Sequence, residues 1–213
     1  MARVVSLNVG LPRTVQGPRG PVVTSIFNTP TEQRLRAEPH NLEGDRQADL
    51  SVHGGEHKAL YGYPLEHYTL WGTERGRTDF TPGQFGENLT TEGLLEHDVG
   101  IGDVYEVGSA SLQVTQPRSP CFKLGIRMND PKFVRAFLQS GRPGFYFRIV
   151  VPGDIGEGDR ITKVESGTFG LSVYDVWNLS YGTGGDPNHM RAALEIPTLG
   201  QEWRRPIIAR LGT

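Results

Sequence analysis

Gln116-Pro117-Arg118-Ser119-Pro120-Cys121-Phe122-Lys123-Leu124 runs directly out of Ala110 to Thr115, where apolar and polar residues alternate as they do along a half-buried strand. It holds the single cysteine of 213 residues, set between two prolines and two cations. A thiolate is the reactive and metal-binding form of cysteine, and neighbouring positive charge favours it. Arg118 and Lys123 are placed to supply that charge. The plainer reading makes Cys121 a small buried hydrophobe.

Upstream of that segment, Val104 to Val107 and Ala110 to Thr115 form a hairpin around Gly108-Ser109. Gly100-Ile101-Gly102-Asp103 and Gly156-Glu157-Gly158-Asp159 each precede a short strand. The repeated Gly-x-Gly-Asp reads as two matched turns of a barrel; no helix follows either copy, so a phosphate loop is disfavoured. Phe145, Phe147, Ile149 and Val151 alternate as a further strand, and Arg3 to Val9 and Val22 to Phe27 read as early ones. Residues 44–61 read as strand, glycine turn and strand, with Leu50, Val52, Leu60 and Tyr61 apolar. A helix is expected from Pro64, with Leu65, Tyr68 and Trp71 on one face, and another from Asp130-Pro131 to Gly141.

After Gly170 the pattern becomes helical. Ser172 with Asp175, Asp186-Pro187, and Thr198-Leu199-Gly200-Gln201 each open a short helix, and Pro206 is expected to break or kink the last. The expected architecture is mainly β with helices (α+β): a β-barrel over residues 1–165 and a three-helix unit over 166–213. The apolar faces of that unit must pack on its own barrel, on a second copy in a homodimer, or on a partner.

A net charge of -2 gives no global basic excess that would call for nucleic acid or an anionic membrane. One cysteine excludes an internal disulfide and points to a reducing compartment, and the apolar run at Met1 to Val9 is short for a signal or a span. The cytoplasm is the expected address.

Several clusters carry chemistry. His53-Gly54-Gly55-Glu56-His57 has histidines at metal-binding spacing, but adjacent glycines oppose the helix that would present them. A turn whose bare backbone approaches an anionic or planar ligand, with His53 and Lys58 beside it, fits better. Asp45 and Asp49 are either an acid/base couple or turn caps and cation partners. Glu87-Asn88 either meets a heterocycle's edge or closes a turn, and Cys121 with His53 is a conceivable nucleophile pair.

Gly44-Asp45-x-Gln47-Ala48-Asp49 running into His53-Gly54-Gly55-x-x-Lys58-Ala59, then Gly86-Glu87-Asn88-Leu89, then Pro117-Arg118-x-Pro120-Cys121, resemble in this order the molybdenum-cofactor sulfurase C-terminal (MOSC) domain. The match covers roughly residues 1–165, and the tail resembles the three-helix extension of the stand-alone bacterial branch similar to 6-N-hydroxylaminopurine reductase. The resemblance implies a β-barrel holding a molybdopterin cofactor, with Cys121 as the metal ligand. It implies two-electron reduction of N-hydroxylated bases and related N-oxygenated compounds to amines, with electrons from an external reductase. Arg118 and Lys58 would meet the cofactor's phosphate and pterin, while His53, Gly54, Gly55 and Asn88 line the same pocket. Asp49 is the candidate proton donor. A sulfur carrier with a persulfide on Cys121, or a metal-free binding domain, is the rival reading.

Overall fold

A computed structural model describes residues 1–48 and 54–212. The strands are β1 (Arg3–Val9), β2 (Arg13–Gly17), β3 (Gly20–Thr24), β4 (Thr29–Thr31), β5 (Leu35–Glu38), β6 (Asn41–Leu42), β7 (Leu60–Pro64) and β8 (Leu89–Glu92). They continue as β9 (Val104–Val107), β10 (Ala110–Pro117), β11 (Phe145–Val151), β12 (Gly153–Ile155) and β13 (Ile161–Glu165). The helices are α1 (Glu66–Arg75), α2 (Phe122–Met128), α3 (Phe133–Gln139), α4 (Val173–Tyr181), α5 (Pro187–Leu194) and α6 (Gln201–Leu211), with a single 3-10 turn at Glu56–Lys58.

The α+β class stands, and the main sheet orders its eight strands β13-β9-β10-β11-β7-β8-β1-β4. Neighbours are antiparallel except β7 and β8, which run parallel. The sheet does not run as one continuous ladder around the expected barrel. β1 meets the start of β13 through one bridge, Arg3 with Arg160, and three backbone bonds that join Val4 to Asp159 and Gly158, and Ile161 to Ala2. The reason lies in β1, whose outer edge is already taken by β4 along Leu7 to Val9. Only the first half of that edge remains for β13.

Alternation along β11 puts Phe145, Phe147 and Ile149 inward, where they pack with Val4, Leu7, Leu60, Leu112 and Val114. A second, aromatic cluster beside it gathers Tyr61, Tyr63, Trp71, Phe85, Phe133 and Phe137.

The two Gly-x-Gly-Asp motifs are matched turns, as expected. Asp103 accepts from the Gly100 amide at 2.8 Å and Asp159 from the Gly156 amide at 2.8 Å, with Gly102 and Gly158 at φ 92° and 84°. Burial would raise the Asp103 carboxyl, but Lys163 at 2.7 Å and the Gly167 and Gly100 amides outweigh it and hold the pKa below its usual 3.8. A carboxylate depressed in this way stabilises the fold above its unfolded pKa and loses that contribution as pH falls through the folded value. Asp103→Asn should therefore destabilise by about 2 kcal/mol at neutral pH, with the gap to wild type closing below about pH 4. Urea unfolding across that range measures it; a gap independent of pH would contradict the assignment.

Local expectations fail where tertiary partners intervene. Pro64 closes β7 rather than opening α1, which starts at Glu66, and α3 starts at Phe133, after a turn in which Asp130 accepts from the Lys132 amide at 2.9 Å. β3 ends at Thr24, short of the expected Phe27. The strand read at Leu50 and Val52 lies outside the described residues.

In the tail, Ser172 and Asp175 open α4 as expected, through a capping box, and Asp186 caps α5. For α6 the cap is Gly200, and the Thr198 hydroxyl instead donates to Thr115 O at 2.9 Å. Pro206 does not interrupt α6. Proline removes the amide that would pair with the carbonyl four residues back, Glu202, and the Tyr181 hydroxyl donates to that carbonyl at 3.0 Å. The tail packs on its own sheet: the Trp203 indole N–H donates to Pro117 O at 3.1 Å and the Gly200 amide to Gln116 Oε1 at 2.7 Å. Tail residues Val176, Trp203 and Ile207 belong to the same hydrophobic cluster as the strands. Among the described residues no helix is long and apolar enough to cross a membrane.

Candidate functional site

The end of β10 carries Arg118 to Cys121 out of the sheet, and Cys121 becomes the residue that caps α2. That helix was not foreseen in the sequence. Half-buried rather than sealed in hydrocarbon, Cys121 opens on a cavity of about 110 Å³ that is open to solvent on one side. Segments remote in the chain form its wall: Thr24 to Ile26 and Asn28 after β3, Asp45 to Ala48 in part, Gly54, Lys58, Tyr61, Gly86, Asn88 and Tyr146. Of the residues singled out by sequence, the fold thus brings Gly54, Lys58, Asn88, Arg118 and Cys121 to one cavity. Asp49 and His53 lie outside the described residues.

Gly54 and Gly55 take φ 120° and 85°, which rules out a helix through these two glycines. A Cβ on Gly55 would meet nothing within 4 Å, so conformation rather than close approach requires glycine there. Gly55 begins the 3-10 turn and does not itself line the cavity. Gly86 is different: at φ 80°, its added Cβ would lie 2.8 Å from Ile26, where two walls of the cavity touch.

Arg118 is the electrostatic centre of the site. Only 6% exposed, its guanidinium lies 4.8 Å from the Tyr61 ring centroid and 5.4 Å from that of Phe137. Burial works against its charge, yet the Tyr61, Tyr146 and Cys121 side chains more than offset that, leaving its pKa above the ordinary value. Burial raises the Tyr61 and Tyr146 hydroxyls, with Arg118 pulling the other way, so both remain protonated donors at neutral pH. Arg118 Nη1 and Ser25 Oγ are buried and have no hydrogen-bond partner among the described residues. Polar atoms on a cavity wall that lack a partner among the described residues are suited to bonding a ligand.

Lys58 reaches the cavity with its ammonium 2.8 Å from Glu202 on α6, so the tail contributes a carboxylate beside the site. The suggested partnership of Lys58 with Asp45 is not formed. Asp45 instead accepts from the Gly10 amide at 2.8 Å and bonds the Asn88 side chain, while burial raises its carboxyl pKa. Its structural role is clear, although it also lines the cavity. Asn88 is a cross-brace as well: Oδ1 accepts from the Tyr61 amide at 3.1 Å and Nδ2 donates to Asn8 O at 3.4 Å.

Glu87 corrects the heterocycle reading. Fully buried and absent from the cavity wall, it accepts from the Gly83 and Phe85 amides at 2.8 and 3.0 Å, from Thr90 at 2.8 Å and from the Tyr68 hydroxyl. It organises the loop that holds Asn88.

Sequence reasoning missed Ser25, Tyr61 as a wall residue, and Tyr146. A signal existed for Tyr146, an aromatic on the face of β11 opposite Phe145 and Phe147. For Ser25 no local signal exists, since only the return of the chain after β3 brings it to the cavity.

The MOSC domain profile matches residues 49–162. The Bacillus subtilis protein YflK is 36% identical over 201 residues, spanning 94% of this chain and 90% of its own. The crystal structure of YiiM from Geobacillus stearothermophilus is similar with a TM-score of 0.80 at 36% identity, covering 99% of this chain and 100% of that one. A Gibberella moniliformis protein named Reductase is 33% identical over 165 residues, which are 76% of this chain but 29% of that protein.

Proposed function

The chain belongs to the MOSC domain family, and from that membership we propose that it is a molybdenum-cofactor-dependent reductase that converts N-hydroxylated bases or related N-oxygenated compounds to amines. The observation that carries this reading is the meeting of the only thiol with a buried guanidinium nitrogen, without a hydrogen-bond partner among the described residues, on the wall of one cavity. A soft thiolate suits molybdenum, and a buried arginine suits an anionic group. Reductase, the name of one relative, agrees with the reaction class.

In this reading Cys121 ligates the metal, Arg118 and Lys58 hold the cofactor's anionic parts, and Ser25 donates to them. The cofactor supplies two-electron chemistry when bound. For a hydroxylamine the balance is R–NHOH plus two electrons and two protons giving R–NH2 and water. Tyr146 presents a protonated hydroxyl that interacts with Cys121, and Asp45 offers a carboxyl that burial inclines toward holding a proton; the Tyr61 hydroxyl is committed to Pro143 O at 2.9 Å. Asp49 is kept as a second candidate proton donor. Glycine at Gly86 lets the walls close without a side chain between them.

The test is metal analysis and 6-hydroxylaminopurine reduction with a viologen donor, using protein made in cells that synthesise molybdopterin. Molybdenum near stoichiometry and amine product are expected. Folded protein without molybdenum would overturn the proposal, and a labile extra sulfur on Cys121 in its place would make the chain a sulfur carrier.

A further inference from the structure

Two segments frame the mouth of the cavity, and neither contains a carboxylate. Residues 10–31, which form the β2–β3 hairpin and its return, carry Arg13 and Arg19; residues 117–129 carry Arg118, Lys123 and Arg127. Five cations with no acid stand out in a chain whose net charge is -2. The two segments meet at Phe27, whose ring centroid lies 3.7 Å from the Arg13 guanidinium and 5.1 Å from that of Arg127. Phe27 directly follows Ile26 on the cavity wall, and Lys123 lies on that wall too, one helical turn before Arg127. Among the described residues, Arg13, Arg19 and Lys123 enter no ion pair.

The same face is apolar at its centre. Phe122, next to Cys121, is 53% exposed, as is Val23 on β3. A shallow groove between hairpin and helix is lined by Gln16, Pro18, Phe122, Ile126, Pro131 and Val134. The hairpin pairs only with itself. An exposed aromatic on a face flanked by cations that, among the described residues, enter no ion pair is the kind of surface a carboxylate-rich protein recognises.

We infer that this face, centred on Phe122 and ringed by Arg13, Arg19, Lys123 and Arg127, docks a small acidic electron-transfer protein. The inference rests on the reduction proposed above, which consumes two electrons per substrate. Two reduced one-electron donors with R–NHOH and two protons give two oxidised donors, R–NH2 and water. Docking here seats the donor against Phe122, the residue that directly follows Cys121. The exposed apolar centre favours a protein over a polynucleotide, whose contacts are mainly with phosphate.

The test uses the molybdenum-loaded protein and a strongly acidic ferredoxin as donor. The second-order rate constant for electron uptake should fall steeply with ionic strength, whereas uptake from a viologen should not. Arg13→Glu with Arg19→Glu should lower the ferredoxin rate roughly tenfold or more and flatten its salt dependence, with viologen-driven turnover retained. Calorimetric titration of the metal-free protein with oxidised ferredoxin should show the same loss of binding. A salt-independent wild-type ferredoxin rate overturns the docking face even if the variant misfolds, as does an unchanged rate in a folded variant. A duplex oligonucleotide that binds more tightly than ferredoxin and displaces it also overturns it. Failure of the viologen reaction itself would instead count against the reductase.

Discussion

Cys121→Ser should give a folded protein that retains no molybdenum above background and has lost viologen-driven reduction by at least about 100-fold. Removing an outer partner of a metal ligand commonly costs about 10- to 100-fold, so loss of the ligand itself should exceed that range. Folding should survive, because Cys121 is half-buried and serine fits a position that precedes a helix. An equal thermal midpoint with no metal is therefore the expected pair of readings. Molybdenum retained at wild-type level in the serine variant would refute the assignment of the thiol. The cavity supports this expectation, because Arg118 and Ser25 each keep a buried polar atom without a partner among the described residues on the same wall.

Trp203→Ala should destabilise the whole chain by about 3–5 kcal/mol. The indole is fully buried, packs edge-on against Tyr181 at 5.5 Å, and donates to Pro117 O. Pro117 is the last residue of β10, directly before Arg118. Molybdenum retention should therefore fall along with stability, since the support beneath the Arg118–Cys121 segment is removed. Trp203→Phe, which keeps most of the packing and loses one hydrogen bond, should cost about 1–2 kcal/mol. Denaturant titration measures both. A loss below about 1 kcal/mol for the alanine variant would show that the tail is not part of the core.

The parts of this protein that could be read directly are those whose cause lies within a few residues. The twin Gly-x-Gly-Asp turns are local hydrogen bonds between an aspartate and an amide three residues back, and both formed. The same holds for the alternation of β11 and the Ser172–Asp175 capping box. The site was legible as a set of motifs: Gly54, Lys58, Asn88, Arg118 and Cys121 do share a cavity. Their individual tasks were not. Asn88 is committed to bracing β7 and β1, and Glu87, its neighbour in the same motif, spends its oxygens on its own loop.

Sequence by itself determined the α+β class, the matched turns, the starts of α4 and α5 and the singular position of the thiol, because short-range sterics and hydrogen bonds act whatever the rest of the chain does. Tertiary structure alone decided that the sheet stops short of a ladder between β1 and β13, since β4 competes for the same edge. It also decided that α6 runs through Pro206, because Tyr181 replaces the missing donor, and that Lys58 faces a carboxylate 144 residues away. Such outcomes depend on which distant groups arrive first at an unsatisfied edge, carbonyl or charge. No local pattern carries that information; only the folded chain brings the competitors together.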